Sequence, residues 1–518
     1  MPARSVNLWL AALAAGAGLT AAALLSAPQS AAQQPPSGPP VAEPGVSSPA
    51  PAADPAAQKG VEVLTRGPVH EAFATPTEEP QPTTVVTKKP PKPIDEMPPE
   101  EKPEGNSIWI GGYWAWDEDR TDYLWVSGVW RTAPPNKRWV AGYWREDGDK
   151  NQWVPGFWAE AQQEAEKHEV TYLPQPPEPP ATAPAGAPPA ADSFYVPGQY
   201  VWNGERYAWR AGYWGRVQEG YVWVPAHFRW TPYGYIYIAG YWDLAVARRG
   251  VIYAPVVIDP TVVTVGYVYT PTYVVPGTVV VDAFFVRPCY CHYYFGDYYG
   301  PVYRDRGFEC TIVYSRRHYD SVIVYERWDH RADPRWEEVH VNVYMDRYAG
   351  RSAPPPRTLA MQVRLGREVI VPAARYAPPG GVRMARLEAT ERARVREQAQ
   401  AVHQVAMERR AAEAKMPVGH PDRPRTASVA LPHNYPAAAH PAASAGGSHT
   451  DAGHAAGGTP PPGHGAMTPP PGRPGQAGTT PPGKTPVKPP PAKPMPPPSH
   501  QPPSKEPPKK DPHNDHDH

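Results

Sequence analysis

The chain has 518 residues, with 75 Pro, 43 Gly and only 3 Cys, and its 51 basic side chains balance 51 acidic ones. That balance argues against a nucleic-acid partner, which rewards a concentrated basic surface, and the cysteine count excludes a disulfide-stapled scaffold. Pro at this level also excludes a chain folded throughout, because Pro-rich tracts bury too little apolar surface to offset the entropy of ordering.

Residues 1–32 read as a secretory signal: Arg4, an apolar run from Leu8 to Leu25, then Ser30-Ala31-Ala32 as the cleavage site. The mature chain would then begin near Gln33 and lie in the periplasm, at the cell surface or outside. The run just reaches spanning length, so an uncleaved anchor is the alternative. No second run of that length follows, and no transmembrane segment is expected in the mature form. Residues 33–105 read as a disordered Pro-rich linker, ending in a stiff Lys-Pro and Glu-Pro spacer.

Eight segments of the form aromatic-x-x-Gly/Ala-x-aromatic follow in two arrays, 106–159 and 193–243. They begin at Trp109, Trp125, Trp139 and Trp153, then at Tyr195, Trp209, Trp223 and Tyr237, spaced 16, 14 and 14 residues apart and then 14 throughout. A fixed period marks a repeat architecture. The segments are short, Gly- or Pro-interrupted and rich in Trp, Tyr and Val, which disfavours helix and favours strand. Turn signals separate them: Asp147-Gly148, Glu219-Gly220, Pro134-Pro135-Asn136, Pro232-Tyr233-Gly234, and Asn203-Gly204, which predicts a two-residue hairpin turn. Each period is expected to give one strand of about eight residues with a bulge at the Gly. Two very short strands divided at the Gly are the alternative. The predicted fold is mostly β, an antiparallel meander of 14-residue aromatic repeats with long disordered Pro-rich flanks and one C-terminal helix.

Period-two alternation puts large rings on both faces of each strand. An exposed aromatic platform is therefore expected, drawn from Trp109, Trp114, Trp125, Trp130, Trp139, Trp144, Trp153, Trp158, Trp209, Trp214, Trp223 and Trp242, with at least one ring per array largely exposed. Residues 160–192 read as a linker and 244–350 as a Tyr-rich β region, with strands over runs such as Thr278 to Val286, Cys310 to Tyr314 and Ser321 to Tyr325. Residues 351–381 read as a second linker, 382–416 as a helix, and 417–518 as a disordered Pro/Gly/His-rich tail with weak transition-metal affinity. Cys289, Cys291 and Cys310 suggest a disulfide from Cys310 to one of the other two; free thiols, or a metal set with His292, are the alternatives.

The segments WIGGYW, WVSGVW, WVAGYW and WVPGFW resemble the WXXGXW (YXWGXW) repeat-containing exported proteins of planctomycete-type bacteria, a family of uncharacterised function. The resemblance covers about 108–336; Tyr195 to Tyr200 lacks Trp at both ends, and Ala226 stands where Gly is usual. The family brings no catalytic residues and no cofactor. No nucleophile elbow, phosphate loop or zinc signature occurs, and the pairs His318 with Asp320, and His330 with Asp329 and Asp333, lack a pocket context. The expected function is a non-enzymatic exported structural or interaction protein of the cell envelope, self-associating or bound to cell-wall glycan. A glycan- or peptidoglycan-binding module is the alternative, using exposed Trp/Tyr platforms with Asp117, Asp119, Asp122, Arg120, Arg145 and Asp147 near the turns.

Overall fold

The computed structural model describes residues 58–430, apart from 79–80, 162–166, 181–185, 291 and 380. The signal, the cleavage site before Gln33 and the His-rich stretch beyond residue 430 lie outside these residues. The described residues belong to one compact unit that is mostly β, and none of its helices is long and apolar enough to cross a membrane.

The repeats form four hairpins, at residues 107–132 (I), 137–160 (II), 193–216 (III) and 221–244 (IV). Each hairpin takes two segments, and each segment is two short strands rather than one bulged strand. In hairpin I, Ser107–Ile110 and Tyr113–Asp117 are divided at Gly111-Gly112, and Asp122–Val126 and Val129–Thr132 at Ser127-Gly128. The inner and outer rungs of that hairpin join different sheets. Tyr113–Asp117 and Asp122–Val126 extend onto Val256–Ile258 and Val61–Val63, while Ser107–Ile110 and Val129–Thr132 extend onto Gly250–Tyr253, Tyr273–Val275 and Val371–Pro372. Consecutive hairpins do not pair with each other, so the repeats are not a continuous meander.

Register places the aromatic positions opposite one another: Trp109 with Trp130, Trp114 with Trp125, Trp139 with Trp158, Trp144 with Trp153, Tyr195 with Trp214, and Trp223 with Trp242. The rings meet edge to face, at 5.2 Å for Trp109 and Trp130 and 5.3 Å for Trp114 and Trp125. Such pairs contribute about 0.5–1.5 kcal/mol beyond the area they bury. The Asn203-Gly204 turn does join antiparallel strands, but as a four-residue loop between Trp202 and Tyr207. The Asn203 side chain accepts from the Glu205 and Arg206 N–H groups, which closes the wider turn.

Several segments expected to lie outside the fold are part of it. Val69, His70, Glu71, Ala72, Phe73 and Glu96, from the expected 33–105 linker, are buried. Lys167–Leu173, from the 160–192 linker, pairs with Arg425–Ala430 of the expected tail and with Gly234–Ile238 of hairpin IV. Residues 351–381 contribute the helix Leu359–Leu365 and an edge strand. Exposed hairpin edges require covering, and these irregular segments cover them, a need invisible in their composition. The 244–350 region is mixed: Gly277–Asp282, Thr311–Tyr314, Ile323–Asp329 and Trp336–Tyr348 are helical around a Phe/Tyr core. Val279, Val280 and Val281, like Thr311 with Ile312 and Val322 with Ile323, are buried in succession, so these short β-branched runs carry no period to separate helix from strand.

The C-terminal helix is Ala389–Glu413; residues Met384–Arg386 before it pair with Glu101–Pro103 instead of extending it. Val395, Ala399, Val402, Val405 and Ala406 form its buried stripe, laid across hairpins I and II.

Candidate functional site

The hairpins divide at Gly because a ring occupies the place of its side chain. A Cβ on Gly112 would stand 2.6 Å from Trp125 Nε1, on Gly128 2.4 Å from Trp109 Cζ2, on Gly142 2.5 Å from Trp153 Cζ2, and on Gly156 2.3 Å from Trp139 Cζ2. In each hairpin the Gly of one segment receives the first ring of the other. Gly198 and Gly240 receive Trp209 and Trp223 in the same way.

At this break the Gly N–H leaves the strand ladder and needs another acceptor. In hairpin I that acceptor is Glu96. Its carboxylate takes the N–H of Gly112 at 2.8 Å, the N–H of Gly128 at 3.0 Å and the Trp125 indole N–H at 3.1 Å. In hairpin II it is Glu71, which takes the Trp153 indole N–H at 2.6 Å and the Gly156 N–H at 2.9 Å. Burial pushes both carboxyls up to about 7, against the N–H donors that favour the charged form. Beside Glu71, His70 accepts the Ala72 N–H at Nδ1 and so carries its proton on Nε2, 3.1 Å from the Gly111 carbonyl. Burial pushes His70 down to about 4, and His292 likewise.

The opposite side of the hairpin II break is held from the long helix. Arg409 donates to the carbonyls of Pro155 at 2.9 Å and Ala141 at 3.3 Å. Its Nε lies 2.7 Å from Glu413 Oε1, and both side chains are wholly buried. Glu413 also accepts the hydroxyls of Tyr143 and Tyr172. Burial works most strongly against the Arg409 charge, and the Glu413 carboxylate together with the Tyr172 and Tyr143 oxygens outweighs it.

Between hairpins I and II these supports enclose a partly open chamber of about 520 Å³. One wall is the helix face from Arg396 to Arg410; another is a strap over Lys89–Glu96. Aromatic donors tie down the strap: Tyr123 Oη to the Lys88 carbonyl at 2.7 Å and Trp114 Nε1 to the Lys92 carbonyl at 2.9 Å. Ion pairs Lys89 to Glu146, 2.9 Å, and Arg396 to Asp95 close its ends.

Of the expected platform, Trp109, Trp114, Trp125, Trp130, Trp139 and Trp158 are buried, and Trp144, Trp153, Trp209, Trp214, Trp223 and Trp242 are half-buried; none is exposed. The expected exposed ring per array is therefore corrected. Alternation does put rings on both strand faces, but strap, helix and flanking strands cover the second face of hairpins I and II, and Trp209, Trp214, Trp223 and Trp242 of hairpins III and IV are left half-buried. The structure brings Trp114, Trp125, Trp139, Trp144 and Trp153 together on the chamber. Glu71 and Glu96, which the sequence reading missed, sit in tracts whose composition resembles linker; an acidic residue within a Pro-rich tract was the only signal.

Cys310 is buried, which pushes its thiol up to about 12, and the expected disulfide falls on the Cys289 side chain or Cys291, which lie outside the described residues. Cys310 pairs with Phe285 on a core-facing strand. His318 pairs with Glu78 at 2.8 Å, while Asp320 accepts from Tyr293 Oη and the Val322 and Ile323 N–H groups, so the two do not work together. The turn residue Asp119 bonds Arg66, Tyr303 and Arg306; burial opposes its charge, but these partners hold it near 2.

The WXXGXW repeat family model matches residues 108–131, 138–159 and 194–214, the segments of hairpins I, II and III. The chain carries WXXGXW repeats. No curated protein and no solved structure matches it. In these repeats the spacing of Trp and Gly has the meaning given above: the Gly of one segment is the socket for the first ring of its partner.

Proposed function

We propose that the chain is a non-enzymatic exported protein of the cell envelope, structural or interaction-mediating, of the kind found among repeat proteins of planctomycete-type bacteria. The observation that supports this reading is the mutual burial of the repeat rings: the aromatic positions pair with one another across each hairpin and are spent on the scaffold. Fractionation of the source cells with an antibody to residues 58–430, followed by N-terminal sequencing, tests it. The expected result is an envelope or external fraction beginning near Gln33. Cytoplasmic protein retaining Met1 rejects it.

Hairpin III favours a second reading, glycan binding. Its strands Gln199–Trp202 and Tyr207–Arg210 have no buried residue, and Tyr195, Tyr200, Trp202, Trp209 and Trp214 are all half-exposed there. Sedimentation with purified cell-wall glycan, compared between the native chain and Trp209→Ala, separates the two readings.

A further inference from the structure

The chamber between hairpins I and II has two unlike parts. Its floor is aromatic, with Trp125, Trp139 and Trp153 among the lining rings. The two carboxyls in that floor, Glu71 and Glu96, already accept peptide and indole N–H groups, and burial favours their neutral form. The floor therefore asks for no counter-ion. The rim differs. Four cations, Lys89, Lys92, Arg396 and Arg410, face two carboxylates, Asp95 and Glu146. Glu146 is shared between Lys89 at 2.9 Å and Arg410 at 3.1 Å, and Arg396 is taken by Asp95. Lys92 has no ion partner among the described residues.

We propose that this chamber binds an amphipathic anion, an apolar body ended by one carboxylate, with the body on the aromatic floor and the carboxylate at Lys92 and the Lys89–Arg410 pair. The volume of about 520 Å³ lies within the ~300–1,000 Å³ of small-molecule sites. An apolar lining with a few charges placed at one end fixes orientation as such sites do. A cationic amphiphile meets the excess positive charge, and a neutral one leaves it unused. Lys92 is presented from a stiff segment: Pro90, Pro91 and Pro93 restrict the strap, and its own carbonyl is pinned by Trp114. Met407 on the helix wall supplies a deformable surface that accommodates bodies of different shape. The inference goes beyond the envelope reading and does not depend on where the protein resides.

The test titrates the full chain at pH 6.0, where Glu71 and Glu96 are mostly neutral, with decanoate, decanol and decyltrimethylammonium, each below its micellar concentration, following Trp fluorescence and heat. Decanoate is expected to saturate at least about tenfold more tightly than either of the others, and to weaken with added salt as a partly exposed charge contact does. Lys92→Glu lies on an exposed side chain and leaves the fold intact. It should weaken decanoate about fivefold or more while leaving decanol unchanged. Met407→Trp fills the chamber and should abolish decanoate binding. Equal binding of the three probes, a preference for the cation, no saturation by decanoate, or unaltered decanoate affinity in Lys92→Glu each overturn the proposal.

Discussion

The Trp125 indole N–H donates to Glu96 across 3.1 Å, so a residue of the Pro-rich lead-in completes the hydrogen bonding of a hairpin that starts 11 residues after it, at Ser107, and turns back between Asp117 and Asp122. Glu96→Gln leaves one acceptor oxygen for three donors and sets an amide N–H₂ against them. We expect a loss of about 2–4 kcal/mol of stability, measured by urea unfolding through Trp fluorescence. A loss below about 0.5 kcal/mol would show that water satisfies these donors instead.

The buried acids and imidazoles nearby give opposite pH profiles. Glu96 is pushed up to about 7 from its ordinary 4.5; its contribution is full below 4.5 and is lost as pH rises through 7. His70 is pushed down to about 4 from 6.5; its contribution is full above 6.5 and is lost as pH falls through 4. The stability difference between the native chain and Glu96→Gln should therefore shrink with rising pH, and that between the native chain and His70→Gln should grow. The limiting slope is about 1.4 kcal/mol per pH unit in each. Parallel profiles for the two variants would contradict the assignment.

Adjacent glycines at the first break predict unequal effects. A Cβ on Gly111 finds nothing nearer than 4.0 Å, whereas on Gly112 it meets the Val126 carbonyl at 2.3 Å and the Trp125 ring at 2.6 Å. Gly112→Ala should cost about 1–3 kcal/mol or more, and Gly111→Ala about 0.5 kcal/mol or less. Thermal melts of the two variants compare them directly.

Arg409 and Glu413 are both wholly buried. Removing either alone, as Arg409→Met or Glu413→Leu, should cost about 3–5 kcal/mol, because the other charge is stranded away from water. The double variant should cost much less than the sum. Additive losses in a double-mutant cycle would mean that each acts through other partners, such as Tyr143 for Glu413 or the Pro155 carbonyl for Arg409.

The buried Cys310 thiol, pushed up to about 12, should resist alkylation at pH 8 in the native chain and react after denaturation without any reductant. Peptide mapping by mass spectrometry reads both states. A requirement for reductant would restore the disulfide.

The aromatic spacing determines a great deal without any tertiary information. Gly and Trp at fixed offsets specify strands and turns at Gly148 and Gly220. The division of each segment at its Gly, and the joining of segments two at a time in place of a continuous meander, follow instead from the rings facing one another across each hairpin. The helix Ala389–Glu413 was likewise legible from its Ala, Glu and Arg content. What covers these elements was not legible. Val69 to Phe73, Glu96, Lys167–Leu173 and Arg425–Ala430 lie in tracts with linker composition, and their order comes from distant partners: Trp and Gly N–H groups lacking acceptors, and hairpin edges lacking neighbours. The exposed platform failed for the same reason. A strand's two faces follow from local alternation, but which of them meets water depends on segments hundreds of residues away, and only the tertiary structure brought the strap and helix over the rings and closed a chamber between two hairpins.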